Sequence, residues 1–456
     1  MSKKIIYLLS LVMALSLVFA GCKKAGTAPG GEGPTKEDEV KPPTNLGGTG
    51  LFTDSGELDK YKGDPIQKST EVAKYENGNY MRNPVITVVG GSTVVVFYEI
   101  RYQTAGAGND VALTGENAVS IAYVQSKDSG ISFSTTGMGE KKYVGGESTG
   151  PENAHGAPIV FNTGKKIIVV ASAGIGLSSG VYNGTTKVSK LEYSVADIQS
   201  DNTVGEFSKW EEIKPDDKGT ITTAGYTQFG THSARGTVAD DGTLLLPVTL
   251  ANYQQSPSKF GYVLYTGKID RNNGNNVTWT ATTKKVDMPY NSGVVKETRI
   301  PKGAREEDYV YLAVSSDTLR ISQGKGPKAP SSANIVGSDG SAGTLVVPNW
   351  YGDKSYDPKN YSTTGGTKQA ILSHVLATEQ NLAIRLVDEN FANQTSGNFP
   401  LGGAYTGNSK SSSMDVLKDG TIVMIAEGGK VTDAATRPFY IYFSRFSQAY
   451  IANQTK

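Results

Sequence analysis

Two arginines and a loop acid carry the chemistry that is most legible in this sequence. Arg82 opens the apolar segment Tyr80-Met81-Arg82-Asn83-Pro84-Val85, and Arg101 ends Val94-Val95-Val96-Phe97-Tyr98-Glu99-Ile100-Arg101. A polar loop containing Asp110 and Glu116 follows. Arginine is permanently charged and can hold an anion through two parallel hydrogen bonds. With a formal net charge of +1, any preference for anions must come from such local arginines, and no nucleic-acid partner is implied.

The elements that position these residues read as short strands. Gly90-Gly91 turns the first apolar run into the second, and the alternating strand Val119 to Val124 comes next. Further hairpins surround Thr163-Gly164, Asp241-Gly242 and Asp419-Gly420. Long helical periodicity is absent, so the fold class is all-β. The recurrence of strand groups fits either a β-propeller or a large sandwich.

After Val124 comes Ser126-Lys127-Asp128-Ser129-Gly130-Ile131-Ser132-Phe133, an S-x-D-x-G-x-x-F octet. Its Ser and Asp can bond turn backbone, its Gly takes a conformation other residues resist, and its aromatic tucks under the hairpin. The order of Arg-x-Pro strand, Glu-x-Arg strand and octet resembles the sialidase (neuraminidase) superfamily, in which the octet is called the Asp box (BNR repeat) and the opening motif is usually Arg-Ile-Pro; here Asn83 replaces the isoleucine. The likeness continues through Asp241-Gly242-Thr243-Leu244-Leu245-Leu246-Pro247, Asn381-Leu382-Ala383-Ile384-Arg385-Leu386 and the closing stretch Asp419 to Phe446. It implies a six-bladed β-propeller and an exo-α-sialidase that hydrolyses terminal sialic acid from glycoconjugates with retention.

What the resemblance implies for single residues follows from the substrate. Sialic acid carries a carboxylate on its anomeric carbon, and arginines clamp it; Arg82 and Arg320 match two of the family's three, with Arg299 and Arg305 as rivals of Arg320. Arg101 matches the basic residue flanking the site. A carboxylate nucleophile would be repelled by this substrate, and the family uses tyrosine instead. Tyr405, in Ala404-Tyr405-Thr406, is the candidate, with Glu297, in Val294-Val295-Lys296-Glu297-Thr298, as the base that takes its proton. Asp110 matches the general acid, with Glu116 as the fallback. Two positions depart from the family: Glu379 stands where the third arginine is expected, and Ser411 aligns without gaps to the nucleophile. These departures keep open a catalytically impaired, sialidase-like surface protein that binds glycan or host protein.

Residues 1–22 read as a secretory signal ending Phe19-Ala20-Gly21-Cys22, which resembles a bacterial lipobox. The expectation is a lipid on Cys22, the only cysteine, and an extracytoplasmic, membrane-anchored protein. Residues 23–60 are too poor in aliphatic side chains to order themselves and read as a flexible tether, leaving 61–456 for the β domain. The three histidines lack metal-ligand spacing, so neither metal nor cofactor is expected. The expected partners are sialylated glycans and, through the anchor, a membrane; oligomeric state is open.

Overall fold

The computed structural model describes residues 61, 63, 65–102, 111–133, 140–179, 181–214, 225–239, 241–270, 274–288, 294–299, 309–315, 318–323, 335–337, 342–346, 369–376, 380–388, 411–429, 439–447 and 450–451. After β1 (Gln67–Ala73), a first sheet is built from β2 (Tyr80–Val89), β3 (Thr93–Arg101), β4 (Val119–Ser126) and β5 (Lys142–Tyr143). A second contains β6 (His155–Asn162), β7 (Lys166–Gly174), β8 (Ser189–Asp197) and β9 (Glu211–Glu212). The short strands β10 (Gln228–Gly230), β11 (Ala234–Arg235) and β12 (Thr237–Val238) lead into β13 (Leu244–Asn252), β14 (Lys259–Ile269) and β15 (Val277–Met288) of the third sheet, while β11 turns back to pair in parallel with β6. The fourth sheet is β16 (Val294–Arg299), β17 (Tyr309–Ser315), β18 (Thr318–Gln323) and β19 (Ile335–Gly337). The fifth is β20 (Ala342–Val346), β21 (Gln369–Leu376) and β22 (Gln380–Asp388). The sixth joins β23 (Ser412–Val416), β24 (Ile422–Gly429) and β25 (Phe439–Phe446) to β1, which pairs antiparallel with β25. Each sheet touches the next, and β23 of the sixth touches β2 of the first.

The hydrophobic cores lie between successive sheets, and strand periodicity explains how. Side chains alternate faces along a strand. In β3, Val94, Val96, Tyr98 and Ile100 join Val423, Ile425 and Phe443 of the sixth sheet in one core. Val95 and Phe97, on the other face, join Val160, Ile167 and Val169 of the second sheet. Every residue of β3 is therefore buried, as a near-continuous apolar run requires. Glu99 and Arg101 share the parity of Val95 and Phe97, the second-sheet side.

Polar side chains on β23 satisfy backbone that sheet pairing leaves over. Ile86 N donates to Ser413 Oγ (3.2 Å) and Val88 N to Asp415 Oδ2 (2.7 Å), while Arg235 of β11 pairs with Asp415 Oδ1 (2.9 Å) and donates to Met414 O (3.1 Å). Burial pushes the Asp415 carboxyl up, and Arg235 opposes that shift.

The octet forms a turn tied to the sixth sheet. Ser126 Oγ donates to Asp128 Oδ1 and accepts from Gly130 N (2.9 Å), and Asp128 also accepts from Ser132 N (3.1 Å) and Ser132 Oγ (2.7 Å). Phe133 meets Phe443 edge-on at 5.1 Å, Gln67 Nε2 of β1 donates to Gly130 O (2.9 Å), and Arg445 Nη1 of β25 donates to Ser129 O (3.2 Å). Gly130 has φ +85°, and a Cβ there would fall 2.1 Å from Phe443 Cζ. Gly130→Ala is thus expected to lower the unfolding free energy by about 2–4 kcal/mol through strain and overpacking, read from urea-denaturation midpoints.

Partial burial raises the Asp128 carboxyl, but the hydrogen bonds from Ser126 and Ser132 outweigh it and hold the group below the usual range. A depressed folded pKa contributes stability that is complete above the unfolded value, about 4, and is lost as pH falls through the folded one. The stability difference between the parent and Asp128→Ala is expected to be constant from pH 8 to about 5 and to shrink below about 4. Denaturation midpoints across that range check it.

Candidate active site

Both inner strands of the first two sheets begin with a bulge that ends in proline. Register shifts fall between Arg82 and Val85 in β2 and between Gly156 and Ile159 in β6. Pro84 and Pro158 have no N–H for a ladder, so a bulge is a compatible place for them. The preceding residues, Asn83 and Ala157, both have φ +53°. Each bulge aims a backbone N–H away from its own sheet.

Those N–H groups and two arginines converge on two buried carboxylates. Glu427 Oε1 of β24 accepts from Arg82 Nε (3.0 Å) and Asn83 N (2.6 Å). Glu99 Oε1 accepts from Asn83 Nδ2 (2.8 Å) and Ala157 N (2.5 Å), and its Oε2 accepts from Arg101 Nε (2.8 Å). Arg82, Glu99, Arg101 and Glu427 are 5, 2, 7 and 0 % exposed. Two positive and two negative charges thus sit together away from water, where only close pairing makes them tolerable.

A cavity of about 440 Å³ adjoins this network at Asn83. Val111, Leu113 and Leu177 give it an apolar wall; Asn83, Thr231 and His232 line it too. The hydroxyls beside it are engaged: Thr231 Oγ1 donates to Ala157 O (2.6 Å), and Ser172 Oγ accepts from Thr231 N (2.8 Å).

The structure brings Arg82 and Arg101 together through Asn83, Glu99 and Glu427. Glu297 lies in β16 opposite Tyr311, and Arg320 lies in β18 opposite Ala313, so both belong to the fourth sheet. The rival Arg299 is also in β16, opposite Tyr309. Asp110, Tyr405, Glu379, Arg305 and Cys22 fall outside the described residues. Glu116 is a surface residue whose Oε1 accepts from Lys187 Nζ, and this bond lowers its carboxyl pKa. Ser411 is buried, and its carbonyl accepts from the backbone N–H of Glu427 (2.9 Å), the same residue whose carboxylate holds Arg82.

Glu427 is the site residue that sequence reasoning did not assign. Its only signal is a carboxylate directly after the apolar run Ile422 to Ala426. Among the described residues no group of three or more His, Cys, Asp or Glu side chains is placed to hold a metal.

The sequence matches no protein-family model and no curated protein. In three dimensions it is similar to Trypanosoma rangeli sialidase in complex with the inhibitor DANA, at TM-score 0.60 and 14 % identity over 84 % of this chain and 60 % of that one. A Hadza microbial sialidase is similar at TM-score 0.57 and 13 % identity, covering 83 % of this chain and 68 % of that one. The intramolecular trans-sialidase from Ruminococcus gnavus is similar at TM-score 0.51 and 11 % identity, covering 84 % and 98 %. The chain therefore has a sialidase-like, β-sheet-rich fold. It spans about 60 % of the length of the Trypanosoma rangeli protein.

Proposed function

We propose that this protein is an exo-α-sialidase built on a six-bladed β-propeller, with β1 closing the last blade against β25, and that a lipid on Cys22 holds it to a membrane outside the cytoplasm. The observation that carries the reading is the buried Arg82–Glu427 and Arg101–Glu99 network beside a cavity, in a fold shared with proteins whose structures contain sialic acid or DANA. A buried ion pair returns little net stability, because desolvation cancels much of its attraction. What such a pair supplies is orientation. A guanidinium fixed at Nε by a protein carboxylate has a set plane, and a planar guanidinium is the group suited to a two-bond grip on a carboxylate.

In this reading Arg82 and Arg320 hold the anomeric carboxylate and Arg101 flanks it. Asp110 protonates the leaving oxygen. Glu297 takes the proton from Tyr405, whose oxygen attacks the anomeric carbon to form a glycosyl–tyrosine bond as the aglycone departs. Water then cleaves that bond with net retention. A phenol of ordinary pKa, about 10, needs such a base.

A second reading is a protein that binds sialylated glycans without turning them over. It is favoured by Ser411, which occupies the position aligned with the nucleophile and bonds the backbone of Glu427. Hydrolysis of a 4-methylumbelliferyl α-sialoside separates the two. Turnover that vanishes in Tyr405→Phe supports the enzyme; sialoside binding with no turnover in the parent supports the binding protein.

A further inference from the structure

We propose that Asn83 is a positioning residue that ties the Arg82–Glu427 pair to the Arg101–Glu99 pair and so holds the two guanidiniums as one anion-binding unit. The proposal rests on the reading that this end of the fold receives an acidic sugar. Asn83 supplies two donors to two buried carboxylates: its backbone N–H goes to Glu427 Oε1 (2.6 Å) and its side-chain amide to Glu99 Oε1 (2.8 Å). Glu427 comes from the sixth sheet and Glu99 from the first, and Glu99 is further fixed by Ala157 N of the second sheet. One residue thereby ties together side chains from the first and sixth sheets at a point that the second sheet also reaches. The left-handed φ of +53° at Asn83 is what splays its N–H and side chain toward different partners, and asparagine tolerates it better than most residues do. The isoleucine usual at the matching position of the sialidase superfamily has no side-chain donor. Here the orientation of Arg101 is coupled to that of Arg82 through a side chain that also lines the cavity.

Two substitutions isolate this role. Asn83→Gly keeps the positive φ and the N–H to Glu427 but deletes the donor to Glu99. Asn83→Asp keeps shape and φ tolerance but sets an acceptor against Glu99. The charged or titratable groups facing this point are Glu99 and Arg101 from β3, Arg82 from β2, Glu427 from β24, and His232 across the cavity. Two carboxylates in contact share a proton once the pH is low enough. The defect in Asn83→Asp is therefore greatest in alkali and is relieved by acid, whereas that in Asn83→Gly does not depend on pH.

The primary readout needs no ligand: the Nε–H resonances of Arg82 and Arg101 in the 15N-arginine-labelled protein, assigned with single Arg→Lys variants. In Asn83→Asp both resonances are expected to shift and to titrate with a common midpoint, and in Asn83→Gly the Arg101 resonance is expected to broaden or move. Arg101 resonances unchanged in both variants would overturn the proposal. The second readout is affinity for DANA, expected to fall about 10-fold in both variants at pH 8 and to recover toward the parent value at pH 5 only in Asn83→Asp. If the parent binds no DANA, the acidic-sugar reading fails, and the arginine resonances still decide the role of Asn83.

Discussion

Arg82→Ala is expected to lower kcat/KM for a sialoside by about 10²-fold or more. A hydrogen bond to a charged group is worth about 1.5–3 kcal/mol, and a two-bond grip on the carboxylate doubles that. Each 1.4 kcal/mol is a factor of ten in rate. The alanine variant also leaves Glu427 buried without its guanidinium, so lost folding would mimic lost catalysis. Arg82→Lys separates the two effects. It keeps a cation beside Glu427 but cannot present a planar fork, and it is expected to stay folded while losing about 10-fold or more in kcat/KM. Steady-state kinetics with circular dichroism of the same samples checks this. Equal kcat/KM in parent and lysine variant would remove Arg82 from the site.

Glu427→Ala is expected to cost about 3–5 kcal/mol of stability, because it strands a buried guanidinium. Glu427 is fully buried and Arg82 nearly so, so water cannot stand in for the lost carboxylate without rearrangement. Asn83 N loses its acceptor in the same step. Glu427→Gln keeps an acceptor oxygen and is expected to lose less. The Arg82→Met/Glu427→Gln double variant is expected to be more stable than the sum of the single losses, since neither charge is then left alone. Urea denaturation of the four proteins measures the coupling. A Glu427→Ala loss below about 1 kcal/mol would mean that the pair is solvated and interchangeable, like a surface pair.

The contrast between Arg82 and Glu427 shows what could be read in the sequence. Arg82 announces itself as a lone cation at the head of an apolar strand, next to a proline. Its partner lies 345 residues away in another sheet, and no local pattern encodes a contact made only when the sixth sheet returns to the first. The same holds for Glu99. It was visible as half of a Glu-x-Arg pair, but its bonds to Asn83 and Ala157 depend on two bulges whose geometry appears only in the folded chain. The octet was legible because its bonds are local, spanning at most four residues from Ser126 to Ser132. Strand β1 was not assigned, since Gln67-Lys68-Ser69-Thr70-Glu71-Val72-Ala73 has too little apolar alternation to announce a strand; it gains its ladder from β25. The inner strands β2, β3, β7 and β13 were plain, since burial on both faces demands unbroken apolar runs.

If an acidic sugar seats its carboxylate on Arg82, calorimetric titration with DANA at neutral pH will separate the parent from Arg82→Ala. Saturable binding to the parent and no measurable binding to the folded variant are expected. No binding to the parent, or equal affinity in both proteins, would contradict that seating.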